Sequence, residues 1–256
     1  MLYRAADPKS KKRIALIIQA RMCSQRLPGK MMLKVCDKPI IQRVLERCNN
    51  SALSDMFILA CPESAENNIL SDFGHRIGFS VFRGKEEDVL DRFYQAARSM
   101  GINSGNDIIV RVCADNPFVD PYEIDRLIGF YLKGNYDYTF NHIPALDNMY
   151  PDGLGAEAFS FSILQHMWKH AKDSACREHT TKYIWDNQKK FKYGVLKAPA
   201  CIAYPDIKLD VDTHSDFAQV EGLYKELILR NSEIIFSGTE IVDCARKLGL
   251  CITPAR

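Results

Sequence analysis

Long apolar stretches, clustered cysteines and an excess of basic charge are all missing from this chain of 256 residues. No apolar run approaches the ~20 residues that a membrane-spanning helix needs, which argues against a membrane protein. Nine cysteines occur without a CxxC pair or another clustered metal spacing, which is typical of a reduced cytoplasmic protein. Because 34 basic residues balance 32 acidic ones, the net charge of +2 argues against a nucleic-acid partner.

Internal repeats and low-complexity tracts are also absent, so the sequence predicts neither a solenoid nor a linker-rich protein. Residues 1–12 lack the apolar core of a signal peptide, and we expect them to form a flexible N-terminal tail. With 46% hydrophobic residues the chain can bury a full core. We therefore predict a single domain over residues 13–256.

Apolar, β-rich segments alternate with amphipathic helical ones, which predicts an α/β fold with a mostly parallel, twisted sheet covered by helices. The predicted strands span residues 13–20, 55–61, 79–82, 107–113, 136–141, 192–197 and 206–211. The predicted helices span residues 39–49, 86–100, 121–134, 161–170, 178–187, 215–230 and 239–248.

This alternation lapses over residues 141–173, where residues 142–155 are rich in turn formers. We expect an arm that leaves the sheet and forms much of a twofold interface, with exposed aromatic side chains at Phe140, Tyr150, Phe159 and Phe161. An irregular surface connection is the alternative interpretation.

Three cations follow the first predicted strand: Arg21, Arg26 and Lys30, the last directly behind the turn formers Pro28 and Gly29. The carboxyl end of a buried strand opens onto the crevice where doubly wound sheets bind their ligands. Arginine forks onto phosphate oxygens and lysine acts as a point charge, so the loop predicts phosphate binding. It contains neither GxxxxGK[ST] nor GxGxxG. A basic surface loop is the alternative.

Two carboxylate sites are candidates for a divalent metal. Asp115 follows the predicted strand 107–113 at the edge where ligands bind. Asp210 and Asp212 flank Val211 in an extended segment, where a spacing of two residues puts both side chains on one face. Mg²⁺ typically takes one or two carboxylates plus waters. The structural alternatives are a turn at Asp115 and a helix cap at Asp212.

Residues 19–30, QARMCSQRLPGK, are similar to the signature ARxxSxRLPGK. Further similar segments follow in the expected order: FRG at 82–84, DVLDRF at 88–93, RVCADNP at 111–117, YPDGL at 150–154, REHT at 177–180 and LDVDT at 209–213. Together they resemble the cytidylyltransferases that make CMP-activated sugars, particularly the branch named after spore coat polysaccharide biosynthesis. The related branches activate ketodeoxyoctulosonate and sialic-type acids. An ordered set of this kind is more specific than any single motif.

The resemblance implies a Rossmann-like, three-layer nucleotidyltransferase fold of the glycosyltransferase-A type with a protruding dimerisation arm. It further implies that Arg21, Lys30 and Asp115 are catalytic and that Asp115 and Asp212 hold Mg²⁺, with Asp210 undecided. The implied nucleotide-binding residues are Gln19, Ala20, Arg21, Ser24, Arg26, Lys30, Arg83 and Asp88. The implied acceptor-binding residues are Arg111, Asn141, Glu157, Arg177, Glu178 and His179. Asp88 on a solvated helix face, and Arg177 joining the arm to the sheet, are the open alternatives.

These observations predict a Mg²⁺-dependent, cytoplasmic, homodimeric cytidylyltransferase. It would couple CTP to a sugar, acidic or phosphorylated, and release pyrophosphate for the synthesis of a surface polysaccharide. One alternative is a nucleotidyltransferase that uses another NTP or a non-sugar acceptor such as a phosphonate. A nucleotide-binding module without turnover is the other alternative.

Overall fold

The first strand, β1 (Ile14–Gln19), is buried almost throughout and fixes the layout of the protein. In the computed structural model, which describes residues 12–230 and 235–250, Leu16 and Ile18 pack into one hydrophobic core while Ala15 and Ile17 pack into a second. Successive side chains of a strand point to opposite faces, so the two cores lie on opposite sides of the sheet. Apart from Lys12, the predicted N-terminal tail lies outside the described residues.

Seven strands form the main sheet. After β1 the chain forms a small antiparallel pair, β2 (Lys34–Val35) with β3 (Lys38–Pro39). The other strands are β4 (Met56–Pro62), β5 (Ser80–Gly84), β6 (Ile108–Cys113), β7 (Tyr138–Phe140), β8 (Glu157–Ser160) and β9 (Tyr193–Val195). The order across the sheet is β5, β4, β1, β6, β8, β7, β9. Because β8 alone of these runs antiparallel to its neighbours, the predicted mostly parallel sheet is confirmed.

Helices cover both faces of this sheet. They are α1 (Ile40–Cys48), α2 (Asn68–Ile77), α3 (Val89–Ser99), α4 (Pro121–Lys133), α5 (Phe161–His170), α6 (Ser174–Glu178), α7 (Lys182–Asp186), α8 (His214–Arg230) and α9 (Gly238–Lys247). Helices α1, α2, α4, α8 and α9 pack into the core around Leu16, whereas α3, α5, α6 and α7 pack into the core around Ile17. The result is the predicted three-layer arrangement.

Local signals explain where several helices begin. The side chain of Asp120 accepts a hydrogen bond from the amide of Tyr122, and Pro121 occupies the first turn of α4. Ser160 caps α5 in the same way, and Ser237 with Glu240 forms a capping box at α9. Each cap satisfies amide donors that the helix itself leaves unpaired.

Two predicted elements differ in the structure. The predicted helix 178–187 is shorter in the structure, because α6 ends at Glu178 and α7 covers only Lys182–Asp186. Between them Thr180 is buried and its hydroxyl donates to Gln19 Oε1 at 2.8 Å. Residues 206–211 do not form a strand, and only Lys208 among them pairs, in an isolated parallel bridge with Asp152. Helix α2 and strand β8 were not predicted.

One expectation about the predicted arm is wrong, because its aromatic side chains are not exposed. The arm itself stays a prediction. Strand β8 lies inside the sheet between β6 and β7, so the segment 141–173 returns to the core. The aromatic side chains expected to be exposed, Phe140, Tyr150, Phe159 and Phe161, are at most 3% exposed. They are buried because apolar packing on either side of the inserted strand takes precedence over the turn-rich sequence around them. Whether the protein dimerises stays a prediction.

No helix in residues 12–230 and 235–250 combines the length and the apolar character that crossing a bilayer requires. The eight cysteines within these residues are free thiols.

Candidate active site

A cleft of about 940 Å³ opens beyond the carboxyl ends of β1 and β6. Its walls come from the loop after β1, the start of α3, the turn after β6 and the segments 178–186 and 210–212. It contains these predicted site residues: Gln19, Ala20, Arg21, Ser24, Arg26, Lys30, Arg111, Asp115, Glu178, His179, Asp210 and Asp212. The sheet therefore gathers at one edge side chains that lie almost 200 residues apart in the sequence.

The cation loop folds back on itself. Gly29 adopts a left-handed conformation, with φ of 70°, and its amide donates to the carbonyl of Met22 at 3.2 Å. The amide of Met22 in turn donates to Asn67 Oδ1 at 2.8 Å, which attaches the loop to the segment before α2. Leu27 anchors the middle of the loop in the core. This fold points Lys30 into the cleft while the side chain of Arg26 remains 67% exposed.

Lys30 lies between the two predicted metal ligands. Its Nζ atom is 2.7 Å from Asp115 Oδ2 and 3.3 Å from Asp212 Oδ1, and it also donates to the carbonyl of Val211 at 2.8 Å. Arg26 lies 2.8 Å from the same oxygen of Asp212. The amide of Val211 donates to the carbonyl of Asp115 at 2.9 Å, so a backbone bond joins the segments that carry the two carboxylates.

A further acidic pair, Asp152 and Asp210, lines the cleft beside these residues. Burial and the neighbouring Asp210 raise the pKa of Asp152 to about 7. Burial also raises the pKa of Asp210, against the attraction of Lys208, whose Nζ lies 2.7 Å from Asp210 Oδ1. The backbone next to Asp152 lies close to the backbone of Asp210, and this requires glycine at position 153. A Cβ atom there would lie 2.7 Å from the amide nitrogen of Asp210.

The remaining wall is built on an ion pair across the sheet. Arg111 of β6 and Glu157 of β8 are directly opposite in the strand register and form a salt bridge. Burial would raise the pKa of Glu157, but the charge of Arg111 lowers it well below its usual value, so Glu157 is ionised. Tyr138 donates a hydrogen bond to the same carboxylate. Burial lowers the pKa of His142, which lies 3.9 Å from Glu157 and lines the cleft in its neutral form.

Five predicted site residues do not line the cleft. Asn141 is buried and uses its amide to bond Glu123 and Ala156, and Glu157 lies behind Arg111. Arg83 also lies outside the cleft and donates hydrogen bonds to the segment 62–68. Arg177 and Asp88 form an ion pair in a separate groove. Each of these side chains has protein partners at hydrogen-bond distance. Whether any of them also binds a substrate stays a prediction.

Several cleft residues were not predicted: Arg92, His142, Asp152, Thr181, Lys182 and Trp185. Two of them belong to recognised segments, Arg92 to DVLDRF and Asp152 to YPDGL. Both could have been predicted as site residues, because each is a charged residue inside a segment that resembles a family motif. His142 and Trp185 carry no comparable local signal, since only the position of β8 and α7 brings them to the cleft.

A loop of three cations that faces a set of carboxylates, at the carboxyl edge of a mostly parallel sheet, is suited to binding a nucleoside triphosphate and transferring part of it. The fold and the site therefore define a nucleotidyltransferase-type centre. Most of the side chains that meet here are acids, cations and neutral polar groups, beside a few apolar ones such as Met31, Val89 and Ile143. Burial raises the pKa of the cleft thiol Cys113 to about 12, so the thiolate that nucleophilic catalysis requires is disfavoured there.

Comparisons with known proteins agree with this description. A family model described as cytidylyltransferase matches residues 15–235. Uncharacterized protein MJ1063 of Methanocaldococcus jannaschii is 39% identical over 218 residues, which cover 85% of this chain and 86% of that protein. Spore coat polysaccharide biosynthesis protein SpsF of Bacillus subtilis is 31% identical over 218 residues, which cover 83% and 87%.

Solved structures give the same result. A cytidylyltransferase from Leptospira borgpetersenii superposes with a TM-score of 0.82 at 26% identity and covers 96% of this chain and 99% of its own. A CMP:2-keto-3-deoxy-manno-octonic acid synthetase complexed with CTP has a TM-score of 0.61 at 18% identity and covers 84% and 99%, which shows a shared fold. The chain belongs to the cytidylyltransferase family, so the recognition made from its motifs is confirmed.

Proposed function

We propose that the protein transfers CMP from CTP to a sugar acceptor in a Mg²⁺-dependent reaction that releases pyrophosphate. The observation that carries this proposal is the meeting of Lys30 with Asp115 and Asp212 at 2.7 and 3.3 Å. It joins the phosphate loop to two carboxylates at one point of the cleft, where a triphosphate and a divalent cation both find charged partners. The relative named for spore coat polysaccharide biosynthesis supports a role in making a surface polysaccharide.

The donor set fits Mg²⁺. Asp115 and Asp212 offer carboxylate oxygens, which this hard cation prefers, and two carboxylates with waters complete a usual coordination shell. When bound, the ion neutralises charge on the phosphate oxygens and polarises the phosphorus. Asp210 is paired with Lys208, so we assign it a supporting role.

The residues of the chain supply positioning and charge. Arg21, Arg26 and Lys30 come from one loop and would bind the phosphate oxygens, where their charge offsets the negative charge that accumulates on the departing pyrophosphate. Gln19, Ala20 and Ser24 line the same part of the cleft and complete the proposed nucleotide site. Direct attack by the acceptor oxygen on the α-phosphorus requires no covalent intermediate with the protein.

The acceptor is proposed to lie against the wall of Arg111, His142 and Trp185, with Glu178 and His179 at its edge. We propose an acidic or phosphorylated sugar, because Arg111 and Arg21 both reach this cleft. Glu157 neutralises much of the charge of Arg111, so neutral sugars belong in the test as a separate arm. Turnover with neutral sugars alone would contradict the proposed acceptor class.

We further propose a cytoplasmic homodimer. Free thiols at the eight described cysteines suit a reducing compartment. Leu146 and Met149, in the loop between β7 and β8, remain 47% and 44% exposed and support an interface there. Light scattering at micromolar concentration checks the dimer, and a strictly monomeric protein would contradict it.

The proposed reaction is tested by measuring pyrophosphate release from each of the four NTPs, with Mg²⁺ and a panel of acidic, phosphorylated and neutral sugars. We expect CTP to be preferred. Asp115→Asn and Asp212→Asn should each lower the rate at least ~100-fold, equivalent to about 2.7 kcal/mol of lost transition-state stabilisation. Asp206→Asn, on the same segment as Asp210 but outside the cleft, is the matched control and should keep its activity.

Two results would count against the proposal. If both aspartate variants released pyrophosphate at the wild-type rate, the metal site would be elsewhere. If the wild-type protein bound CTP yet never released pyrophosphate with any acceptor in the panel, a binding module would replace an active transferase as the better description.

A further inference from the structure

We propose that Lys30 and Arg26 act as internal counter-ions, occupying the carboxylate pair Asp115 and Asp212 until a divalent metal ion replaces them. Metal and nucleotide then bind with positive cooperativity. The metal frees the cations that bind the nucleotide, and the nucleotide frees the carboxylates that bind the metal. This inference rests on the proposed function, because it assumes that Asp115 and Asp212 hold the metal and that the loop cations hold the phosphates.

Each cation of the phosphate loop is already paired with a carboxylate from another part of the cleft. Arg21 lies 3.1 Å from Glu178, and Arg26 lies 2.8 Å from Asp212. Lys30 bridges Asp115 and Asp212, as described above. The groups that would bind an anion and the groups that would bind a cation therefore neutralise one another in this structure.

Lys30 is the most enclosed of the three cations. Its side chain is 11% exposed, compared with 39% for Arg21 and 67% for Arg26. Its ammonium group has three hydrogens, and it has three oxygen acceptors, namely the two carboxylates and the carbonyl of Val211. Lys30 therefore neutralises the same two carboxylates that a metal ion would bind.

The charge balance produces the coupling. A metal ion that arrives alone must displace Lys30 and Arg26 and leave their charges without partners in a partly buried cleft, which is costly. A nucleotide that arrives alone draws the same cations away and leaves Asp115 and Asp212 facing each other. When both ligands bind, every charge has a partner. Coupling between two sites is reciprocal and typically amounts to 5- to 150-fold in affinity.

Removing the counter-ion should change the two affinities in opposite directions. We expect Lys30→Met, which keeps most of the apolar stem, to bind Mg²⁺ or Mn²⁺ about 10-fold more tightly than wild type when no nucleotide is present, within the usual range of such coupling. The same variant should bind CTP more weakly. Arg26→Gln should shift both affinities in the same directions but less, because its side chain is mostly exposed.

The experiment is equilibrium binding without acceptor, so that no turnover occurs. Titration calorimetry measures Mg²⁺ alone, CTP with a chelator, and CTP with Mg²⁺, and paramagnetic resonance counts free Mn²⁺. Lys34→Met, on an exposed lysine outside the cleft, is the control for loss of a positive charge. Because Mg²⁺ also binds CTP in solution, identically for every variant, coupling is compared between variants rather than taken from one titration.

The inference holds if Lys30→Met gains metal affinity and loses coupling while Lys34→Met does neither. It is overturned if Lys30→Met binds metal no better than wild type. The side chain of Arg26 is mostly exposed, so Arg26→Gln should fold normally. If Lys30→Met does not fold, Arg26→Gln decides the question. Unchanged metal affinity in Arg26→Gln would then refute the inference. Failure of the proposed function looks different: Asp115→Asn would then bind metal as tightly as wild type.

Discussion

Asp152→Asn should stabilise the protein at alkaline pH and leave it unchanged in acid. The pKa of Asp152 rises from 3.8 to about 7, because the carboxylate is buried beside Asp210. Between these two values the native state holds a proton that the unfolded state has released, so this group makes the free energy of unfolding fall as pH rises. Asparagine is nearly isosteric with the neutral acid and removes this penalty.

The size of the effect follows from the shift in pKa. At ~1.4 kcal/mol per pKa unit, the separation between 3.8 and about 7 corresponds to a ceiling of about 4 kcal/mol at pH 8. We expect about half of that ceiling, since the cleft is open to water and the positive charge of Lys208 stabilises the ionised carboxylate. For a protein of this size, 2 kcal/mol raises the melting temperature by about 4–8 °C.

The assay is thermal unfolding of both proteins in a pH series from 4.5 to 8.5, with a chelator present. The difference in melting temperature between variant and wild type should grow with pH and level off above about pH 7, where the wild-type carboxyl has lost its proton. Asp206→Asn, outside the cleft, is the matched control for the loss of a carboxylate. A variant whose advantage is equal at pH 4.5 and 8.5 would refute the reasoning, because a titrating penalty cannot be independent of pH.

The remaining predictions concern two ion pairs. Glu157→Gln should lower the free energy of unfolding by about 3–5 kcal/mol at pH 7, because it leaves the buried charge of Arg111 unpaired. Since the folded-state pKa of Glu157 is lowered, its stabilisation is present at neutral pH and declines in acid, so denaturant titrations at pH 7 and pH 3 should show a smaller gap between variant and wild type at the lower value. Arg177→Ala should lower the free energy of unfolding by about 2 kcal/mol and change the acceptor KM little. The reason is that Arg177 donates to Asp88 and to the carbonyl of Trp168 outside the cleft. A raised KM at an unchanged melting temperature would instead support the prediction that Arg177 binds the acceptor.

The parts of the fold that the sequence predicts well are those specified by neighbouring residues. Strand β1 is apolar up to its last residue, strand β6 is apolar except for Arg111, and α5 has both a serine cap and a clear helical period. Strand β8 has only four residues and no distinctive pattern. It forms because β6 and β7 offer it an edge on each side, and β6 lies more than 40 residues earlier in the chain. Pairing over that distance has no signature in a short window of sequence.

The same distinction separates the site residues. The loop from Arg21 to Lys30 could be located because its cations, its turn and its preceding strand are contiguous. The partners of a charged side chain cannot be read in this way. Arg177 pairs with Asp88 at a separation of 89 residues, and Asp152 acquires its raised pKa from burial and from Asp210. A charged residue in a recognised segment is therefore predictable as a charge, whereas its role depends on which distant element the fold brings beside it.

The position of β8 has a consequence for newly made chains. Strand β6, with the apolar sequence IIVRVC, has a free edge until Glu157–Ser160 has been synthesised, about 45 residues later. At 5–20 residues per second, that edge stays open on the ribosome for roughly 2–9 s. Unpaired apolar strands of this kind pair with strands of other chains and cause aggregation, and a single charge within such a strand opposes this pairing. Arg111 is such a charge, so we expect it to oppose aggregation of the nascent chain before it pairs with Glu157.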